Sequence, residues 1–349
     1  MRTEEFNYSL PESLIAQQPA KNRHDSRLMV LYYKSKKVVH STFRDICSFL
    51  SPAHLLVVND TKVFPARLLG RKESGGAVEI LLVREVDGLR WEAMVQPSAR
   101  VKEGTPVAID GWNKQVSVEE RLPGGSRLVQ FPDECEPLDI AFQYGHMPLP
   151  PYIKRDVSDK EQSAFDFQRY QTIFARDAGS VAAPTASLHF TDTVLAELQE
   201  RSVGIQHITL HVGPGTFKPV KTDTITDHVM DYEYYAVSQE TERNINTHIS
   251  NGGTVCGVGT TVVRTLEAIS DESGRIHAGN GKTDLFIYPG YSFKIVRNML
   301  TNFHLPKSTL LMLVCALAGS DFVLSAYHEA IREKYRFYSY GDAMLLLNQ

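Results

Sequence analysis

Cysteine is scarce in this chain and never closely spaced. Cys47, Cys135, Cys256 and Cys315 lie far apart, with no CxxC pair. That excludes a disulfide framework and a zinc knuckle, and it fits a reduced, cytoplasmic protein. Long apolar runs are missing as well. The longest, from Thr309 to Ala318, is about half of what a bilayer crossing needs and reads as a buried helix. No membrane contact is therefore expected. The opening MRTEEFNYSLPESL has no positively charged start followed by an apolar stretch, so no signal peptide is expected either. A strong charge of one sign is also absent, since 37 Lys and Arg against 41 Asp and Glu leave −4.

A balance near neutrality speaks against a uniformly basic nucleic-acid binder, but the distribution matters more than the sum. Residues 1–72 hold 12 Lys/Arg against 6 Asp/Glu, a surplus of +6; residues 73–150 hold 7 against 13, a deficit of −6. An RNA partner would thus be held by the terminal parts and not by the acidic middle.

At 349 residues and 42% hydrophobic content, the chain is long enough for a large core and about two domains. The pattern changes at Arg67. From there to Phe131 six short β-rich runs recur: RLLGRK, AVEILLVRE, RWEAMV, TPVAID, QVSVEE and RLVQF. Glycine turns separate them, and no long helix intervenes. This predicts a small antiparallel barrel spanning 67–144. It is inserted into an α/β main domain, 1–66 and 145–349, with a mixed sheet or open barrel and helices. A monomer is the favoured state.

The main domain is organised around Gly179–Thr191, GSVAAPTASLHFT. Small residues lead into Pro184, which fixes its own φ and pushes Ala183 toward an extended conformation. Hydroxyls then follow at Thr185 and Ser187, beside His189. Thr191 or Asp192 can cap the helix that VLAELQER predicts. Elsewhere, HLLVVNDTKVFPARL gives a buried strand that ends at Asn59, Asp60 and Thr61. GIQHITLHVGPGT gives a strand carrying His211 and a turn through Gly213, Gly215 and Thr216, whose N–H groups can face an anion. TVCGVGTTVVRTLE gives a strand, a turn at Gly259, Thr260 and Thr261, and a helix with Arg264 and Glu267 on one face. It is not a dinucleotide fingerprint, because the third glycine is missing. TNFHLPKST places His304 before a capped helix. His228, Asp231 and Glu233 lie within six residues of one another, but no second cluster has ligand spacing, so no metal site is expected.

These blocks, in this order, resemble the S-adenosylmethionine:tRNA ribosyltransferase-isomerases of queuosine biosynthesis. GSVAAPTASLHF is similar to the signature of that family. YSLPESLIAQQP leading to SRL, NDTKVFPARL, GHMPLPPYI, LHVGPGTF and VGTTVVRTLE are similar to its other blocks. Three positions depart from the family pattern: Ser187 stands where Gly is usual, Asp231 where His is usual, and Val262 where Ser is usual. The resemblance implies a two-domain architecture. It also implies transfer and isomerisation of the ribosyl group of S-adenosylmethionine onto an aminomethyl-deazaguanine at the tRNA wobble position. Adenine and methionine leave, and epoxyqueuosine-tRNA forms. S-adenosylmethionine is then a consumed co-substrate, and no cofactor is bound permanently.

Such chemistry needs a base for the proton on the carbon beside the sulfonium, an acid for departing adenine, and a polar pocket for the methionine carboxylate. His189 is the first candidate for the base, followed by His304 and Glu233. Arg27, Asn59, Thr61, Thr185, Ser187, His211, Gly213, Gly215, Thr216, His228, Gly259, Thr260, Thr261 and Arg264 are candidates for substrate contacts. Lys334 and Arg336, interleaved with Tyr335, Phe337 and Tyr338, are expected to face tRNA. A non-catalytic tRNA- or nucleotide-binding relative, or an enzyme using another acceptor, is the alternative.

Overall fold

The computed structural model describes residues 1–156, 159–213, 215 and 220–349. In chain order the strands of the body are β1 (Arg27–Tyr32), β2 (Lys37–Thr42), β3 (His54–Asn59) and the short β4 (Thr61–Val63). The barrel follows, with β5 (Arg67–Lys72), β6 (Ala77–Asp87), β7 (Arg90–Gln96), β8 (Thr105–Ile109), β9 (Gln115–Arg121) and β10 (Arg127–Gln130). The body resumes with β11 (Asp177–Ser180), β12 (Gly204–His211), β13 (Glu233–Val237), β14 (Thr254–Val258), β15 (Gly279–Thr283), β16 (Val296–Asn302) and β17 (Ala343–Leu347). The helices are α1 (Pro137–Tyr144), α2 (Lys160–Arg169), α3 (Asp192–Glu200), α4 (Gln239–Ser250), α5 (Thr260–Ala268), α6 (Thr309–Ala318) and α7 (Ser320–Arg332).

The body is a mixed nine-stranded sheet in the order β15-β13-β12-β3-β14-β16-β17-β1-β2. Its centre, β12-β3-β14-β16, is parallel. β3 in that centre and β17 beside it are buried on both faces, which is why both are rich in apolar residues. The period of two assigns the side chains. Met29, Leu31, Val57, Val255 and Met299 pack on one side with α5, α6 and α7. Leu28, Val30, Val58, Cys256 and Leu300 pack on the other with Phe43, Phe190 and α3. Thr191 caps α3, accepting from the Val194 N–H at 3.4 Å. Ser308 caps α6, accepting from Leu311 N–H at 3.2 Å.

Among the described residues no single helix is long and apolar enough to cross a membrane; α6 and α7 pass only as a pair bent by 116° at Gly319. Most of α6 is buried in the core.

All six expected barrel strands form, and they close in the order β10-β7-β6-β5-β8-β9. Alternating Leu68, Ile80, Leu82, Ala93, Val95, Val107, Val116 and Val118 fill the interior. Gly70 is required where two strands touch, since a Cβ there would lie 2.4 Å from the Ala108 carbonyl oxygen. The chain enters and leaves the barrel side by side: Arg67 and His146 exchange both backbone hydrogen bonds, at 3.2 and 2.9 Å.

Two local expectations change. FNYSLPESLIAQQPAKNRHDSRLMVL reads as a turn, a short helix and a strand from Leu28, but before the strand the segment holds only single 3₁₀ turns, Thr3–Phe6, Glu12–Leu14 and Arg23–Asp25. The aromatics Tyr335, Phe337, Tyr338 and Tyr340 are buried, so they are not stacking groups on an RNA-facing surface. A helix end packed on a sheet spends its aromatics on the core.

Candidate active site at the carboxyl edge of the sheet

The carboxyl end of β14 leads through Gly259 into α5, and that of β16 leads through FHLPKS into α6. Because β13 and β17 run antiparallel to their neighbours β12 and β16, the starts of β13 and β17 reach the same edge. Open α/β sheets bind ligands at this edge.

After β14, Gly259 adopts φ 99° and α5 begins at Thr260. A side chain at Gly259 would be strained, and Ala186 of the central motif lies against it. The motif itself forms a 3₁₀ turn over Thr185–His189 behind Pro184. Ser180 pins its approach to β12: the hydroxyl donates to the Ala182 carbonyl at 2.8 Å and accepts from the Val212 N–H at 2.9 Å. After β16, His304 is fixed through its backbone, accepting from the Tyr8 hydroxyl and bonding to Tyr327 Oη at 3.1 Å.

Three motifs therefore meet in one cavity of about 60 Å³, whose walls include Pro184, Thr185, Thr260, Thr261, Thr301 and His304. Tyr152, Tyr338 and Ser339 close one side. Tyr152 Oη and Ser339 Oγ are 2.6 Å apart, and the Tyr152 and Tyr338 rings are 4.8 Å apart. In His304, Nε2 is 2.8 Å from Thr301 Oγ1. Burial pushes its pKa down to about 3, so the ring is neutral at physiological pH.

A second chamber of about 140 Å³ adjoins the first, with Leu310 lining both. Gly213, Gly215, His228, Asp231, Glu233 and Arg264 line it. Arg264 Nη1 donates to Glu233 Oε2 at 2.7 Å, and both side chains are about 95% buried. Arg264 does not pair with Glu267. That carboxylate instead accepts the backbone N–H groups of Lys294, Ile295 and Val296 and holds the start of β16.

A crevice of about 650 Å³ lies between barrel and body. Arg67, Glu79, His146, Pro150, Asp166 and Phe167 are among its walls. The GHMPLPPY segment serves both regions, with Met147–Pro151 on the crevice and Tyr152 on the cavity.

His189 is placed elsewhere. Its Nδ1 is 2.7 Å from Ser26 Oγ, its Nε2 is 3.2 Å from Asn302 Nδ2, and its ring packs on Phe43. It borders a separate gap of about 20 Å³ with Arg23 and Arg169. Burial first, then the charges of Arg336 and Arg23, push its pKa down to about 3.

Several other candidates are also tied into the fold. The Asn59 amide bridges to Leu210 N–H and C=O and to Thr61 N–H. Thr61 Oγ1 is 2.9 Å from His211 Nδ1, and Gly179 packs against that ring. The Arg27 guanidinium lies 3.7 Å from the Tyr335 ring centroid and donates to the Glu333 carbonyl. Arg336 donates twice to Asp342, at 2.8 Å from its backbone and 3.2 Å from its side chain. Lys334 is exposed. Ser187 Oγ is buried with no hydrogen-bond partner among the described residues. Val262 packs in the core. Thr216 lies outside the described residues. Among the described residues no group of three or more His, Cys, Asp or Glu is placed to hold a metal ion.

Thr301, Tyr152 and Ser339 carry no mark in the sequence. Thr301 and Tyr152 lie inside the motifs TNFHLPKST and GHMPLPPYI, but nothing in their spacing distinguishes them.

The fold is a mixed nine-stranded sheet with helices and an inserted six-stranded antiparallel barrel, and residues of three motifs gather at the carboxyl edge of the parallel strands. The model of the family described as queuosine biosynthesis protein matches residues 3–346. An S-adenosylmethionine:tRNA ribosyltransferase-isomerase of Halothermothrix orenii is 49% identical over 348 residues, covering 99% of this chain and 100% of its own. That of Moorella thermoacetica is 49% identical over 349 residues, with 99% and 100% covered. A crystal structure of the S-adenosylmethionine tRNA ribosyltransferase of Thermotoga maritima is similar with 37% identity and a TM-score of 0.55, covering 98% of this chain and 100% of its own. The chain belongs to the S-adenosylmethionine:tRNA ribosyltransferase-isomerases of queuosine biosynthesis. Its reaction transfers and isomerises the ribosyl group of S-adenosylmethionine onto the aminomethyl-deazaguanine of tRNA, giving epoxyqueuosine.

Proposed function

We propose that this reaction takes place in the cavity at the carboxyl edge of the sheet, with His304 moving the proton. The observation that carries the reading is convergence: Thr185, Thr261 and His304 come from three separate motifs and line one cavity. His304 is neutral, so it can accept the proton from the carbon beside the sulfonium without first losing one. Thr301 beside Nε2 fixes the ring, and the threonine hydroxyls supply hydrogen bonds to the ribose. His189, with both ring nitrogens engaged, acts as a positioning residue through Asn302.

On this reading the tRNA base enters from the wide crevice between barrel and body. The barrel, 67–144, and the body, 1–66 and 145–349, then act as separate domains that present the two sides of that crevice. S-adenosylmethionine comes and goes as a co-substrate, with no permanently bound cofactor. The enzyme acts as a monomer in the cytoplasm.

The test is adenine release from S-adenosylmethionine with tRNA that carries the aminomethyl-deazaguanine and with the same tRNA lacking it. Release only with the modified tRNA supports the reading. Release independent of the modification would sink the assignment of the acceptor.

A further inference from the structure

The second chamber contains a charged donor that the described residues leave unused. Arg264 is 4% exposed and is held from two directions. Its Nε donates to the Leu285 carbonyl at 2.8 Å and its Nη1 to Glu233 at 2.7 Å, while Nη2 is buried without a hydrogen-bond partner among the described residues. An unmet buried donor is costly, and more so when it is charged. Two fixed contacts also pre-orient the guanidinium, whose planar fork matches a carboxylate.

We infer that this chamber seats the α-amino-acid end of S-adenosylmethionine, with the carboxylate on Arg264 Nη2. The inference rests on the reaction proposed above. Arg264 lies on α5, one turn beyond Thr260 and Thr261, so one helix face runs from the cavity into the chamber. Val212 lines the cavity and the next residue, Gly213, lines the chamber. A ligand with its ribose at the threonines therefore extends its amino-acid arm toward Arg264.

Charge selects the ligand class. Glu233 already neutralises Arg264, and Asp231 adds a further carboxylate to the wall. A phosphate would bring uncompensated negative charge beside the buried Arg264–Glu233 pair. A zwitterionic amino acid brings its own ammonium, which suits the Asp231 side. The fit is close, because a Cβ at Gly215 would lie 1.9 Å from Asp231 Oδ2.

Titration calorimetry tests this with S-adenosylmethionine and its decarboxylated analogue, on the wild type and on Arg264→Gln. The wild type is expected to bind the parent about 10- to 100-fold more tightly, the range of a charge-assisted hydrogen bond. Arg264→Gln is expected to weaken the parent by that factor and to change the analogue less than about threefold, so that preference disappears. Glu233→Gln with Arg264→Gln serves where the single variant does not fold, because it removes the stranded carboxylate. Equal affinity of the wild type for both ligands, or equal loss for both in the variant, overturns the inference. Adenine release is followed separately. Normal release without carboxylate discrimination counts against the chamber alone, and discrimination without release counts against the reaction reading alone.

Discussion

Two histidines near the same sheet edge look alike by every local measure and differ in one respect. His189 and His304 are both buried, both pushed to about pKa 3, and both hydrogen-bonded. His189 spends Nδ1 on Ser26 and Nε2 on Asn302. His304 spends Nε2 on Thr301 and lines the cavity where three motifs meet. Burial and a shifted pKa therefore do not single out a catalytic group at this edge. What distinguishes the two is whether a substrate atom can reach an uncommitted nitrogen.

The same contrast between groups closed within the fold and groups open to substrate orders the expected effects of substitution. The largest on stability belongs to the buried pair of the second chamber. Glu233→Ala strands Arg264 and should cost about 3–5 kcal/mol, read as a drop in denaturant midpoint. His189→Gln breaks a closed network and should cost about 1–3 kcal/mol while each folded molecule loses less than about tenfold in turnover.

The pH dependence sharpens the pair further. Each histidine has a folded pKa near 3, below its ordinary 6.5. The folded state therefore resists protonation. Its stability contribution is complete above 6.5 and is lost as pH falls from there toward 3. Unfolding between pH 6 and 4 should steepen by about 1.4 kcal/mol per pH unit for each histidine. His189→Gln should remove one such share.

The smallest effect belongs to the exposed Lys334. Lys334→Glu should weaken tRNA binding modestly and lower its salt slope by about 1. Arg336→Ala should lower stability by about 1–3 kcal/mol through Asp342.

The barrel was fully legible, because alternation within short runs and glycine turns are local signals. All six runs became strands. The parallel core strands were legible too, as continuous apolar runs. Three-dimensional neighbours were harder. Asn59 and His211 sit in polar motifs, yet their side chains stitch strand ends together across 150 residues of chain. The spacing of Arg264 and Glu267 suggested a helix-face pair, but Glu233 on β13 takes the arginine. Tyr335 to Tyr340 gave a basic and aromatic pattern that fits RNA and core packing equally, and the sheet decided for the core. Thr301 carried no signal before β16 delivered it beside His304.

The most direct test of the account is single-turnover adenine release by His304→Gln and His189→Gln at equal concentrations of folded protein. With modified tRNA and saturating S-adenosylmethionine, His304→Gln should slow release by about two to four orders of magnitude at nearly normal tRNA affinity. His189→Gln should fall less than about tenfold once unfolded molecules are discounted. The reverse order, with a stable His304→Gln enzyme releasing adenine near the wild-type rate, would contradict the account and return the proton transfer to His189.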